Sequence, residues 1–338
     1  LFDLVIIDEA SQVSIAQALP ALIRGKKILV LGDEKQFSNV KAGNASVLTN
    51  SKYRSNLLNS LKASIDAQSK GMSTVYTSRV EENFNIKKSI LEFCRFITNY
   101  QTMLKKHFRC YPEIIGYSNK YFYDGGLQTM KARALPINEV IKFTQVDAES
   151  VQDQYKLTNS AEANFVLEQF TALKDKDYQG SLGVITPHRE LATFINNLLN
   201  ESTIADWLHD HQLKVMTFDT CQGEERDYIL YSMVAKPSED KHWAIFPVSM
   251  EESRKEGKEF GTREQRLNVG FSRAKETVHF VLSKPVNEYW GEVKTALLYY
   301  ENALNSSTYE LGGTDENSPM ETLVQDYFYK TEFYEKNK

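Results

Sequence analysis

A short apolar segment that ends in two adjacent acids constrains the fold of this chain most strongly. Residues 5–11 read Val-Ile-Ile-Asp-Glu-Ala-Ser, which predicts a buried strand over Leu4–Ile7 with Asp8 and Glu9 at its carboxyl end. Acids in that position project into the crevice where α/β sheets bind ligands. Asp8 is therefore a candidate to hold Mg²⁺ through water, and Glu9 a candidate to orient or deprotonate an attacking water. The alternative is a pair of acids that cap the helix predicted after Ser11.

A second apolar segment, Ile28–Leu31, precedes the turn Gly32-Asp33-Glu34-Lys35-Gln36. Both segments are continuously apolar, as expected for strands of a parallel sheet that is covered on both faces. If the two strands are neighbours, their turns lie at the same edge of the sheet. The order therefore predicts one site that contains Asp8, Glu9 and the second turn.

From about residue 106 the sequence predicts alternating strands and helices, and so an α/β fold with a parallel sheet. The predicted strands are Leu182–Thr186, Lys214–Phe218, Tyr228–Val234 and Val278–Leu282. Ser160 is a plausible N-cap for a helix that carries Ala163, Val166, Phe170 and Leu173 on one face, and Leu191, Phe194, Ile195, Leu198 and Leu199 give a second helical stripe.

Three other segments differ from this alternation. A single helical stripe, predicted to pack in a core, is formed by Ile86, Ile90, Phe93, Ile97, Tyr100 and Leu104. The charged residues 236–263 predict an exposed, mobile insertion, and 305–317 predict a linker. Ser318-Pro319-Met320-Glu321 then forms a capping box that begins a new helix.

Composition narrows the class of protein without defining it. The 338 residues suggest about two domains, and 41% hydrophobic with 25% charged residues is ordinary for a globular chain. No apolar run approaches the ~18 residues of a membrane span. Three scattered cysteines fit a reducing, cytoplasmic compartment. A net charge of −5 counts against nucleic-acid binding, although residues 105–109 are locally basic and include an aromatic. The alternative for that stretch is a solvated face.

Five downstream segments, together with the two acidic strand ends, occur in an order that resembles superfamily 1 helicases. The segments are HFRCYPEI (107–114), SNKYFYDG (118–125), VITPHR (184–189), VMTFDTCQGEE (215–225) and LNVGFSRAK (267–275). The resemblance is to the DNA2/NAM7-like, Upf1-type branch, which includes the nonsense-mediated-decay helicase and the DNA-replication helicase-nucleases. It implies RecA-like domains with P-loop NTPase sheets. Phe37-Ser38-Asn39 departs from the family's Leu-Pro-Pro, so that turn lacks proline stiffness.

The resemblance also implies roles for residues of a nucleotide site. Gln36 would sense the γ-phosphate, and Arg109 and Arg273 would act as arginine fingers, for which the permanently charged fork of arginine is suited. Phe108 would stack on the base. Gly223 and Glu225 belong to the segment expected at the nucleotide, with Glu225 accepting from the ribose hydroxyls. The alternatives are surface ion pairs for the arginines and a core position for Phe108.

The same resemblance assigns nucleic-acid contacts to Thr186, Thr217 and Gln222. Hydroxyl and amide groups can bind backbone phosphates without reading sequence. The alternative for these three side chains is hydrogen bonding that caps their own loops.

The phosphate-binding pattern G-x-x-x-x-G-K-[ST] does not occur in the 338 residues. We therefore expect residues 1–48 to be the end of a first RecA-like domain, 49–105 a helical connector, 106–304 a second RecA-like domain, and 305–338 a linker with the start of another element. The expected function is the motor portion of an ATP-dependent helicase or translocase, inactive alone, using ATP and Mg²⁺ on single-stranded DNA or RNA. The expected partners include the upstream half of the protein and a C-terminal nuclease-like domain, with no membrane. The alternatives are the motor of a helicase-nuclease and a non-catalytic RecA-like module that binds nucleic acid.

Overall fold

The computed structural model describes residues 2–37, 46–66, 73–86, 88–133, 135–148, 157–233, 245–250 and 260–306. The predicted linker after Ser306, the capping box at 318–321 and most of the predicted insertion at 236–263 lie outside these residues. No helix within the described ranges is long and apolar enough to cross a membrane.

The two strands predicted near the start of the chain form a parallel pair. Strand β1 (Val5–Ile7) pairs with β2 (Ile28–Val30), and helix α1 (Ile15–Leu22) connects them after a capping box between Ser14 and Gln17. Both strands therefore end at the same edge, as predicted.

The prediction that this pair is covered on both faces is wrong. Ile6 is 57% exposed and its partner Leu29 is 44% exposed, whereas Ile7 and Val30 pack against the core beneath them. Successive strand side chains point to opposite faces. Within the described residues, helices cover only one face of this two-stranded sheet, so the other apolar face remains in solvent.

A helical region follows the strand pair and completes its core. It contains α2 (Val47–Asp66), α3 (Ser73–Asn83) and α4 (Ile90–Ile97), and α4 begins at a capping box between Ser89 and Glu92. Ile90 and Phe93 are buried as predicted. The predicted stripe does not continue through Tyr100 and Leu104, which are 76% and 78% exposed. The reason is that Thr98 adopts an extended conformation, which ends the helix and its 3.6-residue periodicity.

A two-stranded parallel ribbon links this first unit to the rest of the chain. Strand β3 (Lys106–His107) pairs with β4 (Gln128–Thr129), and helix α5 (Pro112–Phe122), which has proline in its first turn, lies between them.

A five-stranded parallel sheet forms the centre of the second unit. Its strands are β5 (Ile141–Gln145), β6 (Leu182–Thr186), β7 (Lys214–Thr217), β8 (Arg226–Ser232) and β9 (Ala274–Leu282), in the spatial order β5-β9-β8-β6-β7. The helices are α6 (Ile137–Val140), α7 (Ser160–Asp175), α8 (Arg189–Asn200), α9 (Ala205–Asp210), α10 (Thr262–Phe271) and α11 (Gly291–Asn305). The predicted α/β class is confirmed, because every pair of neighbouring strands is parallel.

The helical predictions in this unit hold except for one boundary. The predicted apolar face of α7 is buried. The N-cap is Asn159 rather than Ser160, since the Asn159 side chain accepts a hydrogen bond from the Glu162 amide at 3.0 Å.

The prediction of an exposed insertion over 236–263 is wrong at Phe246 and Met250, whereas Val248 and residues 261–263 are exposed. Phe246 and Met250 are each 1% exposed and belong to the core of the second unit, where the Phe246 ring lies 4.9 Å from that of Phe218. Helix α10 begins at Thr262, inside the predicted insertion. The prediction missed these core residues because it was based on the charged composition of the surrounding sequence.

Candidate active site

The acidic end of β1 is exposed and its backbone is strained. Glu9 has φ 48° and ψ 38°, a left-handed conformation that non-glycine residues rarely adopt. The Glu9 amide donates to Asp8 Oδ1 at 2.8 Å. The capping alternative fails for α1, which is capped by Ser14, and neither carboxylate caps the short 3-10 helix Ala10–Gln12. Both acids are therefore left facing the edge of the sheet.

The turn after β2, here called the β2 turn (residues 32–36), is organised by Asp33. Its carboxylate accepts from the Lys35 amide at 2.9 Å and from Gln36 Nε2 at 3.1 Å. Gln36 is half-buried and held by this bond. The structure thus places Asp8, Glu9 and Gln36 on adjacent turns at one edge, as the sequence predicted.

The second unit contacts the acidic end of β1 through Gln222. Its Nε2 donates to Glu9 Oε2 at 3.1 Å, and Gln12 Nε2 donates to the same oxygen at 3.3 Å. The Gln222 Oε1 atom is buried and accepts no hydrogen bond from a described residue. Gln222 therefore points toward Glu9 in this conformation, between the two units.

A second contact between the units joins the β2 turn to α5 and α10. The Tyr123 hydroxyl donates to Asp33 Oδ2 at 2.5 Å and accepts from Asn268 Nδ2 at 3.1 Å. Asn268 Nδ2 also donates to the Lys35 carbonyl at 2.8 Å, and Gln265 Nε2 donates to the Glu34 carbonyl at 3.2 Å. Sequence reasoning missed Tyr123, Asn268 and Gln265 as site residues, although the first two lie within family-like segments.

Arg109 forms a partly exposed ion pair rather than pointing freely into the cleft. Its Nε lies 2.6 Å from Glu225 Oε2, and Lys275 Nζ lies 3.6 Å from the other oxygen of Glu225. Arg109 Nη1 also lies 3.5 Å from the Ser272 carbonyl. Exposed pairs of this kind contribute about 0–1 kcal/mol, so a ligand can displace them at small cost.

Arg273 is buried, with 2% of its surface exposed. Its Nε donates to the Val269 carbonyl and its Nη2 to Ser272 Oγ, both at 2.8 Å. Burial, together with Arg109 beside it, lowers the pKa of the Arg273 guanidinium. Among the described residues no carboxylate lies within ion-pair distance of it, so Arg273 lacks a counter-anion.

Phe108 extends into solvent directly after β3, with 68% of its surface exposed. The alternative of a core phenylalanine is therefore wrong. The neighbouring His107 is partly buried, and its burial, then Arg109 and Arg273, lowers its pKa to about 4. His107 is thus neutral at physiological pH.

The threonines predicted at nucleic acid lie at the opposite edge of the five-stranded sheet from Arg273. Thr186 and Thr217 pair in register at the carboxyl ends of β6 and β7, whereas Arg273 precedes β9. Thr186 is fully buried, and its hydroxyl accepts and donates no hydrogen bond among the described residues. The Thr217 side chain matches the loop-capping alternative, since its Oγ1 lies 3.2 Å from Thr220 Oγ1 within the same loop.

The loop that carries Gly223 and Glu225 reaches the amino end of β8. Gly223 has φ 78°, a conformation in which a larger residue would be strained, and no atom lies within 4 Å of where its Cβ would be. This open turn leaves backbone accessible beside the Arg109–Glu225 pair.

The parallel sheets, with acids, a glutamine and arginines near their strand ends, define an α/β protein that has a candidate site where the two units meet. A family described as an AAA domain matches residues 86–284, which is more than half of the chain. The chain belongs to this family, in the DNA2/NAM7-like branch of the superfamily 1 helicases.

Curated relatives agree with this assignment. The chain is 26% identical over 315 residues to a Mycoplasma genitalium protein named uncharacterized ATP-dependent helicase MG140, an alignment covering 88% of this chain and 24% of the relative. It is 24% identical to helicase sen1 of Schizosaccharomyces pombe, covering 86% of this chain and 15% of the relative. It is also 24% identical to the Gallus gallus DNA replication ATP-dependent helicase/nuclease DNA2, covering 81% and 22%. The chain therefore spans a quarter or less of the length of these relatives.

Proposed function

We propose that this chain is the motor segment of an ATP-dependent helicase or translocase that acts on a single nucleic-acid strand. The observation that carries the proposal is the meeting of two strand ends with a second unit. Glu9 contacts Gln222, and Asp33 beside Gln36 contacts Tyr123. A cleft of this form brings hydrolytic groups from one unit to cations from the other.

The acidic residues and Gln36 would act on water and phosphate. Glu9 orients or deprotonates the attacking water, and Gln36 senses the γ-phosphate. Asp8 would hold Mg²⁺, which supplies positive charge to the phosphates when it is bound. The fit is chemical: Mg²⁺ is commonly held by one or two carboxylates together with phosphates and water.

The arginines would complete the site from the second unit. Arg273 is buried without a counter-anion, which is a costly arrangement that an incoming phosphate would relieve. Arg109 exchanges its exposed partner Glu225 for phosphate, and this exchange frees Glu225 for ribose hydroxyls. Phe108 offers an exposed ring for the base, and Gly223 allows close backbone approach.

The strand partner is single-stranded DNA or RNA, bound through Thr186, Thr217 and Gln222. For Thr186 this requires opening of the loop after β6, because the residue is fully buried. The proposed boundary between residues 105 and 106 is supported by three hydrophobic cores. One core joins residues between Ala10 and Cys94, a second joins Phe37 with residues from Cys110 onward, and a third joins residues between Ala163 and Val281. Three free, buried cysteines support a cytoplasmic location.

The test is nucleic-acid-stimulated ATPase activity of the full-length protein with Glu9→Gln. We expect kcat to fall about a hundredfold or more, because the variant cannot accept a proton from water. The matched control is Glu201→Gln on an exposed turn, which should retain wild-type turnover. Unchanged turnover in Glu9→Gln would contradict the proposed mechanism.

A further inference from the structure

Three side chains of the second unit surround the β2 turn. Tyr123 ends α5, while Gln265 and Asn268 lie one turn apart on α10. Together they contact the Asp33 carboxylate and the carbonyls of Glu34 and Lys35. The turn is therefore held by both its side chain and its backbone.

The Tyr123 hydroxyl is the central atom of this network. The hydroxyl donates one hydrogen bond to Asp33 Oδ2 and accepts one from Asn268 Nδ2. It therefore bridges the first unit and α10. Burial, and then the Asp33 charge, raises the pKa of Tyr123 well above its usual value. The hydroxyl therefore remains a donor throughout the physiological range.

The oxygen that accepts from Tyr123 also accepts from Gln36. Asp33 Oδ2 lies 3.1 Å from Gln36 Nε2, so one carboxylate oxygen joins Tyr123 to Gln36. Among the described residues, no other side chain accepts a hydrogen bond from Gln36 Nε2. The orientation of the Gln36 amide thus depends on Asp33, which in turn depends on Tyr123.

The residue that follows the turn strengthens the same attachment. Phe37 is 6% exposed and packs in the core of the second unit with residues such as Cys110 and Tyr117. Lys35 Nζ lies 5.1 Å from the centre of the Phe260 ring, a cation–π distance. The β2 turn therefore belongs to the first unit by sequence and to the second unit by packing.

We propose that Tyr123 and Asn268 are positioning residues that fix Gln36 by clasping the β2 turn to the second unit. They do not touch the reacting atoms. Their catalytic consequence rests on the proposed ATPase function, whereas their effect on the turn does not. Movement of the second unit would carry the turn, and with it Gln36, relative to Glu9.

Hydrogen–deuterium exchange of the 33–37 segment in the full-length protein tests the clasp directly. In the wild type, the Lys35 and Gln36 amides are hydrogen-bonded to Asp33, so we expect them to exchange slowly. Tyr123→Phe removes one oxygen, so the turn should open more often and exchange about threefold to tenfold faster, the effect of one hydrogen bond. Asn268→Ala should act in the same direction.

Tyr300→Phe is the matched control. It removes a buried hydroxyl that lies 3.0 Å from the Ile114 carbonyl and 3.4 Å from the Phe271 carbonyl, two acceptors of the second unit that are not part of the β2 turn. Exchange at 33–37 should stay at the wild-type rate. Equal exchange in Tyr123→Phe and the wild type, or equal acceleration in both tyrosine variants, would overturn the clasp.

ATPase kinetics on the same variants separate the clasp from the proposed function. We expect Tyr123→Phe to lower kcat about threefold to tenfold with KM for ATP within about twofold, because Gln36 acts on chemistry rather than on binding. Faster exchange in a protein without ATPase activity would remove the proposed function and keep the clasp. Wild-type exchange in Tyr123→Phe, in a protein with ATPase activity, would remove the clasp and keep the proposed function.

Discussion

The β1–β2 pair and the five-stranded sheet are both parallel, but they differ in how much of their apolar surface is buried. Strands β6 and β8 are almost entirely buried, whereas Ile6, Ile28 and Leu29 of the β1–β2 pair are 57%, 48% and 44% exposed. The small sheet nevertheless delivers Asp8, Glu9 and the β2 turn to the cleft. We therefore expect stability to be concentrated in the second unit, while the groups proposed to act in hydrolysis lie on the less covered sheet.

The largest expected loss of stability is at a buried residue of the second unit. Phe271 is fully buried and its ring contacts those of Tyr117, Phe218 and Tyr231. Phe271→Ala should lower the free energy of unfolding of the second unit by about 3–5 kcal/mol, measured by chemical denaturation. The control is Phe2→Ala beside β1, which is 62% exposed and should cost less than about 0.5 kcal/mol. Similar costs at both positions would contradict the comparison.

A smaller, pH-dependent effect should also belong to the second unit. His279 bonds to Tyr228 and Thr144, and burial, then Lys142, lowers its pKa to about 3. Since its unfolded pKa is about 6.5, its contribution is complete above pH 6.5 and is lost as pH falls toward 3. His279→Gln should therefore flatten the decline of unfolding free energy with acid over that range.

The exposed His209 provides the control for this measurement. His209→Gln should leave the pH profile of the second unit unchanged. Residues 1–105 contain no histidine, so the first unit has no equivalent loss. A wild-type unfolding free energy that stays constant between pH 6.5 and 4 would show that His279 does not have the inferred environment.

Sequence reasoning succeeded where local patterns determine position. The apolar segments before Asp8 and Asp33 predicted two adjacent strands, because parallel neighbours end at one edge. The same reasoning failed at Phe246 and Met250, whose burial depends on distant residues rather than on their charged neighbours. It also failed to assign Tyr123 and Asn268, since their contacts with residues 33–35 join positions far apart in the chain.

The roles proposed for the arginines depend on the same long-range packing. Arg109 was predicted as a finger and forms an ion pair with Glu225, while Arg273 is buried. Neither arrangement can be read from a segment of sequence, because each depends on which loop of the second unit lies opposite. A phosphate entering the cleft would compete with Glu225 for Arg109 and would be the first anion beside Arg273.

The most direct test of the cleft is single-turnover ATP hydrolysis by the full-length protein carrying Arg273→Ala or Arg273→Lys. Thermal unfolding of both variants is compared with the wild type, and Arg24→Ala on the exposed surface of the first unit is the control. We predict that both Arg273 variants lower the hydrolysis rate about a thousandfold, because neither retains the guanidinium fork, while Arg24→Ala hydrolyses normally. A wild-type rate in folded Arg273→Lys and Arg273→Ala would contradict an ATP site between the two units.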